Sequence, residues 1–260
     1  MKPLKQITVL DMTVNTPGPF CSTILSSMGA RVIKVEPPSG DPLRHNMSMF
    51  SSLNRGKESI TLDLKTILGQ EVLGKLASNA DIILEGMRPG VAQRLGADYS
   101  TLSSKNQRLV YCSISGFGQE GPMRDHPGHD INYLSMGGYL GLQDKVEGRP
   151  WPPPILIADL SAGLYASIAV LGATLGCQYS GKGSYIDLSM TESVISLLDL
   201  ELTDVSDMKT PNVTYIPHYG VFPCADGKWI SLGIVDEDIF WKRLCDLIDL
   251  PSLSNLSFNE

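Results

Sequence analysis

Through the first half of the chain, short runs of β-branched and apolar residues alternate with helical patterns. Ile7–Asp11, Arg31–Glu36, Ala80–Glu85 and Leu109–Ser115 read as strands, and Pro17–Met28 and Thr66–Ala77 read as helices between them. Strands joined through helices of about ten residues or more return parallel to one another rather than folding back as hairpins. The pattern therefore predicts an α/β fold built on a doubly wound, mostly parallel sheet. Ligands of such sheets sit in the loops beyond the carboxyl ends of the strands. Glu36–Asp41 (EPPSGD), Glu85–Gly90 (EGMRPG) and Ser115–Gln119 (SGFGQ) all fall there.

The second half begins with a long helical pattern from Ala158 to Tyr179. The turn Ser180–Gly183, a strand at Ser184–Leu188 and a helix over Met190–Leu202 follow. Residues 203–217 are polar and punctuated by proline, which marks a linker. Beyond it, Gly220–Pro223 and Lys228–Gly233 flank the turn Asp226-Gly227 as a β-hairpin, and a helix is expected over Glu237–Ile248. Pro251–Glu260 carries no legible pattern. The expected organisation is a large domain over 1–202, a linker over 203–217 and the start of a smaller α+β domain over 218–260. A hairpin and one helix are too little for an independent core, so this second domain reads as cut short.

From Pro152 to Gly181, Asp159 is the single Asp, Glu, Lys, Arg or His residue. A carboxylate in an apolar stretch is paired, protonated or used, because desolvating its charge is costly. Asp159 follows a proline-rich segment and precedes a helix, so one reading makes it the helix N-cap. A helix start also offers backbone donors to an oxyanion. His129, in the segment Pro127-Gly128-His129-Asp130, can supply the other half of an acid–base pair; otherwise it is a loop histidine bonded to backbone.

Composition narrows the partners. With 260 residues, 42% of them hydrophobic, the chain can bury a full core. A net charge of −7 argues against nucleic-acid binding, which needs a basic face, but leaves room for a polyanionic small ligand. Arg44, Arg55, Lys57, Arg88 and Arg94 lie in or near the ligand-side loops, where they either bind phosphates or form ordinary surface charge. Five scattered cysteines without a CxxC fit free thiols in a reducing compartment. The amino terminus lacks a signal-peptide h-region, so an intracellular protein is expected, cytoplasmic first, with mitochondrial or peroxisomal routing open. Ile155–Gly176 is long enough to span a membrane, yet Asp159, its serines, its internal glycines and Tyr165 favour a buried or half-buried helix. His126 and His129 sit in a Pro/Gly-rich loop rather than on a helix face, so no metal site is expected. GxSxG and the P-loop pattern are absent, and the βα turn in Gly29–Pro42 lacks GxGxxG, which disfavours a serine hydrolase and nucleotide cradling by those devices.

Several ordered segments carry a resemblance. They are Pro17–Phe20, GARVIKVEPPSGDP (Gly29–Pro42), NRGKESITLDLK (Asn54–Lys65), ADIILEGMRPGVAQRLG (Ala80–Gly96) and RLVYCSISGFGQEGP (Arg108–Pro122). PGHDINYL (Pro127–Leu134), IADLSAGLYA (Ile157–Ala166), GKGSYIDLSMTES (Gly181–Ser193) and YGVFPCADGKWISLG (Tyr219–Gly233) continue the series. Together they resemble the family III CoA-transferase/α-methylacyl-CoA racemase superfamily. The resemblance implies an acyl-CoA substrate, no separate cofactor, and an interlocked homodimer with a Rossmann-like large domain and a small domain. It carries CoA contacts onto Arg88, Arg55, Lys57 and the Glu36–Arg44 loop, and the SGFGQ loop adds Gly118 and Gln119.

The two branches of that superfamily differ in chemistry. In the racemases, a histidine in GHDxNY and an aspartate at the position of Asp159 exchange the α-proton on opposite faces of the acyl-CoA through an enolate. In the transferases, the same aspartate is a nucleophile and the histidine position is usually aromatic. The intact GHDINYL here implies a racemase or epimerase of 2-methyl-branched acyl-CoA, with His129 and Asp159 as acid and base. Glu237, or Asp236 in its place, supports the histidine. Leu160–Tyr165 reads closer to the transferase style. CoA transfer between carboxylic acids with Asp159 as nucleophile is the alternative, and a non-catalytic chain that binds CoA or a partner is a third.

Overall fold

The computed structural model describes residues 2–142, 150–202, 219–235 and 237–255. The chain forms two compact units, Met1–Leu202 and Thr203–Glu260. In the first, β1 (Thr8–Met12), α1 (Pro17–Ser27), β2 (Arg31–Glu36), α2 (Met47–Asn54), β3 (Glu58–Thr61), α3 (Ile67–Ala77) and β4 (Ile82–Glu85) come in order. The short helices α4 (Val91–Arg94) and α5 (Tyr99–Ser103) lead to β5 (Val110–Ser115). They are followed by α6 (Asp130–Met136), α7 (Tyr139–Leu142), α8 (Ile157–Ser180), β6 (Ser184–Ser189), α9 (Met190–Leu197) and α10 (Asp199–Leu202).

All neighbouring strands of the six-stranded sheet run parallel, in the order β3-β2-β1-β4-β5-β6. The chain winds outward from β1 through β2 to β3, then returns to place β4 on the other side of β1. The order reverses between β1 and β4, and a crevice opens there beyond the strand ends. Both faces of the sheet are covered, so the strands are almost continuously apolar. Successive residues alternate faces: Val9, Val32, Ile82 and Cys112 pack with α1, α6, α8 and α9, while Leu10, Ile83 and Tyr111 pack with α3 and α5.

By length and composition α8 is apolar enough to cross a membrane. Its stripe of Ala158, Ala162, Ala166 and Val170 is fully buried in the core instead. These small residues bring α8 close to α1: a side chain at Gly163 would meet Pro17 O and the Phe20 ring at 2.8 Å.

Sequence patterns miss several features of this unit, the short helices α2, α4, α5 and α7 among them. β3 is an edge strand with mostly exposed side chains, so it shows no apolar signal. α6 spans only seven residues, too few for a periodic stripe. The expected helix over Met190–Leu202 is two helices, because the backbone at Leu198 leaves helical geometry (φ −97°, ψ 13°). The second unit holds an antiparallel hairpin, β7 (Tyr219–Pro223) with β8 (Trp229–Gly233), and α11 (Asp238–Leu247). A 3-10 turn over Pro251–Asn255 follows where no pattern is legible, and the Trp241 indole N–H donates to Leu253 O at 3.0 Å. The expected linker over 203–217 lies outside the described residues.

Buried charge fixes the ligand-side end of β1. Asp11 is wholly buried and accepts from Lys57 Nζ at 3.0 Å, from the Ser22 hydroxyl and from the Thr13 amide at 3.0 Å. Burial alone would raise its pKa, but the ammonium groups of Lys57 and Lys34 and the hydroxyls of Ser22 and Thr13 hold it below the ordinary value. Lys57 Nζ also donates to Pro19 O at 3.0 Å and Asn54 Oδ1 at 2.9 Å, which ties β1, α1 and α2 together. Beside it, Lys34 Nζ bridges Asp41 at 2.8 Å and Thr13 O at 2.9 Å. Removing one partner of a buried pair strands the other charge. Lys57→Met is therefore expected to destabilise the protein by about 3–5 kcal/mol, measured as a lower urea midpoint.

Candidate active site

A cavity of about 940 Å³ lies over the crevice between β1 and β4. Its floor is the turns that leave the strands, with Thr13 after β1, Gly86 after β4 and Gly116 after β5. The loop before α6 and the first turn of α8 form the opposite wall, which brings His129, Asp130 and Asp159 to one space.

The α8 end is built differently from the sequence expectation. Leu156, not Asp159, is the N-cap residue, and it makes no side-chain cap. Asp159 sits in the first turn. The capping acceptor comes from outside the helix: Asp130 Oδ1 accepts from the Asp159 amide at 3.1 Å, and the Asp130 carboxyl also bonds the Ala158 amide. A carboxylate at a helix N-terminus satisfies orphan amides and meets the positive end of the macrodipole. The expected free backbone donors at the start of this helix are correspondingly occupied at Ala158 and Asp159.

Asp130 also opens α6, and His129 is that helix's N-cap rather than an ordinary loop residue. Asn132 Oδ1 accepts from the His129 amide at 3.0 Å, which fixes the backbone under the imidazole. Tyr133, one turn on, donates from its hydroxyl to Gly128 O at 2.6 Å. Its ring lies so close to Gly116 and Gly128 that a Cβ at either would approach it to 2.4 and 2.7 Å. The histidine loop is thereby held down on the end of β5.

Electrostatics at Asp159 follow from this arrangement. Burial and then the neighbouring Asp130 carboxylate push its pKa from 3.8 up to about 6, against the opposing effects of a hydrogen bond from Thr16 and of His129. A carboxyl with its pKa in this range can both give up and take back a proton near neutral pH. His129 is close enough to act on its charge.

The other anticipated contacts separate into groups. Arg88 is exposed at the cavity wall with Arg94 and Arg124; Arg124 pairs loosely with Asp125 at 3.9 Å, and Arg88 and Arg94 have no ion pair among the described residues. Such a cluster can hold phosphates. Glu36 and Arg44 are engaged with each other through two hydrogen bonds of 2.7 Å. The Arg44 guanidinium, helped by Ser59 and the Asp41 amide, holds the Glu36 carboxyl down to about 2 against the effect of burial. Lys57 is spent on the Asp11 network, with a side chain only 1% exposed. Arg55 is exposed and donates to Ser52 O at 2.7 Å. Gln119 lines a separate cavity of about 270 Å³, where its amide bonds Asp187 at 2.9 Å and its side chain bonds Ser113 at 2.9 Å; Gly118, in left-handed geometry at φ 85°, shapes that turn. Glu237 lies in the second unit as the N-cap of α11 and accepts from the Val235 amide at 2.9 Å. Asp236 is outside the described residues.

Sequence reasoning missed Thr16, Arg124, Tyr133 and, above all, Asp130. The HDIN spacing, with an amide side chain three residues after the histidine, is the signal of a helix start that marks Asp130 as a first-turn residue.

The sequence model of CoA-transferase family III matches residues 4–259. Succinyl-CoA–D-citramalate CoA-transferase of Chloroflexus aurantiacus is 34% identical over 97% of this chain and 66% of its own length. Alpha-methylacyl-CoA racemase of Homo sapiens is 33% identical over 96% and 65%. The chain thus spans about two thirds of the length of the curated relatives it matches. Among solved structures, Rv3272 from M. tuberculosis superposes with a TM-score of 0.86 at 31% identity, covering 100% of this chain and 71% of that one. A CAIB/BAIF family protein from Brucella suis gives 0.86 at 29% identity, covering 98% and 72%.

The raised pKa of Asp159 has a consequence for stability. Between the ordinary value of 3.8 and about 6, the folded protein binds more protons at this site than the unfolded chain, so stability falls as pH rises through that window. Asp159→Asn removes the loss. The variant is expected to be more stable than the wild type at about pH 7 and to converge with it below about pH 4, measured by urea denaturation across a pH series.

Proposed function

The chain belongs to CoA-transferase family III, and from that membership we propose that it inverts the α-carbon of a 2-methyl-branched acyl-CoA. The observation that carries this reading is the convergence of His129 and Asp159 on one cavity, within electrostatic reach of each other. Arg88, Arg94 and Arg124 supply the charge to hold the CoA phosphates at the cavity wall.

In one direction the Asp159 carboxylate takes the α-proton, and the C–H electron pair moves onto the thioester carbonyl as an enolate. Protonated His129 then delivers a proton to the opposite face of the same carbon. In the reverse direction the roles exchange, so the two groups balance the proton count over each turnover. Burial keeps Asp159 basic enough for the first step. The exposed apolar residues Leu164, Ile168, Leu175 and Tyr179 along α8 support the homodimer that the family resemblance implies.

CoA transfer is the second reading, and the curated relatives support it, since most of the similar ones are CoA-transferases, such as the acetyl-CoA:oxalate enzyme of Acetobacter aceti at 34% identity. There Asp159 attacks the thioester carbonyl carbon, expels CoA thiolate and forms an acyl anhydride. His129 has no required part in that route.

The two readings separate in deuterated water. Incubation with a 2-methylacyl-CoA is expected to wash deuterium into the α-position without any added carboxylic acid, and His129→Ala is expected to slow this about 100-fold or more. Absent exchange, together with CoA transfer to an added acid and hydroxylamine trapping at Asp159, would establish transfer instead.

A further inference from the structure

Glu85, the last residue of β4, is 3% exposed, yet it is in no ion pair among the described residues. A buried carboxylate without a cation is costly to keep, and an apolar residue would serve the strand as well. Its oxygens are committed to hydrogen bonds instead. Ser113, its register partner on β5, donates from Oγ at 2.8 Å, and the Tyr111 hydroxyl on the same face adds a long contact at 3.5 Å. The third donor is the backbone amide of Met87, two residues on. Burial lifts the carboxyl above its ordinary pKa, and these three donors oppose the rise.

Met87 belongs to the turn from Glu85 to Gly90, which lines the large cavity at Gly86, Met87, Arg88 and Pro89. By strand parity the Glu85 side chain shares its face with Ile83 and Tyr111, toward α3 and α5, so it touches no ligand in that cavity. It acts on the turn. Carboxylate bonds to backbone amides are among the stronger hydrogen bonds, and this one closes the start of the turn. The Val91 amide closes its end by donating to Arg88 O at 3.0 Å. The backbone of Arg88 is thereby held between two closures. Gly90, in left-handed geometry at φ 79°, stands where two further guanidinium groups meet. A Cβ there would lie 3.8 Å from both Arg94 Nη1 and Arg124 Nη2.

We propose that Glu85 is a positioning residue for anion binding: its carboxylate holds the Met87 amide, and the turn so fixed sets Arg88 against a phosphate of the bound CoA thioester. The inference rests on the CoA reading above. Glu85 itself makes no bond to the ligand.

The test is a double-mutant cycle, with CoA affinity measured by titration calorimetry on the wild type, Glu85→Leu, Arg88→Ala and the double variant. Leucine fills the space at the end of β4 without accepting a hydrogen bond. Glu85→Leu is expected to weaken CoA binding about five- to tenfold in the wild type and less than about twofold when Arg88 is already alanine. Glu85→Gln, which keeps an acceptor for the Met87 amide, should bind CoA as the wild type does. The Asp159 titration at about 6, which a general loosening of the fold would shift, should not move in Glu85→Leu. Glu85→Ala takes the place of Glu85→Leu in the cycle if leucine perturbs folding. Full additivity with Arg88→Ala, unchanged CoA binding in Glu85→Leu, a shifted Asp159 titration, or an equal loss in Glu85→Gln would overturn the positioning role while leaving the CoA reading intact. A wild type that does not bind CoA would instead refute that reading and the role with it.

Discussion

The site depends on one carboxylate that sequence patterns do not single out. Asp130 bonds the first-turn amides of α8 while it opens α6, so it joins the helix that carries Asp159 to the helix start that carries His129. Two residues far apart in the chain are thereby brought to one cavity. The same contact tunes the chemistry. A second negative charge at a helix N-terminus repels the Asp159 carboxylate, and this adds to burial in lifting its proton affinity.

The surrounding fold supplies what this junction needs. A parallel sheet reverses its order between β1 and β4, and the turns that leave the strands open there. Buried ion pairs at Asp11–Lys57 and Lys34–Asp41 pin the turn after β1. Such pairs gain little net stability over apolar packing, but they are costly to break singly. That asymmetry holds the turn after β1 in one shape. Arg88, Arg94 and Arg124 stay outside these pairings, which leaves their charge available at the cavity.

Much of this was legible in the sequence. The β-branched runs around Arg31–Glu36, Ala80–Glu85 and Leu109–Ser115 gave the parallel sheet, because strands buried on both faces must be apolar throughout. The lone Asp159 and the PGHD segment drew attention to two residues that the structure brings to one cavity. Local pattern failed where the deciding contact is distant. Asp159 looked like the cap of its own helix, whereas the cap is Asp130 from another segment. Lys57 and Arg44 looked like free cations among ligand loops, yet both meet carboxylates from other strands. A short helix such as α6 and an exposed edge strand such as β3 lack the stripe that periodicity detects.

The central claim is that His129 and Asp159 share one electrostatic environment and act as a pair. Carbon-detected NMR of the Asp159 carboxyl, followed through pH in the wild type and in His129→Ala, tests it directly. The imidazolium opposes the rise in the Asp159 pKa, so the account predicts that its removal moves the titration above the wild-type value of about 6. A midpoint that does not move, or one that falls, would contradict the pairing.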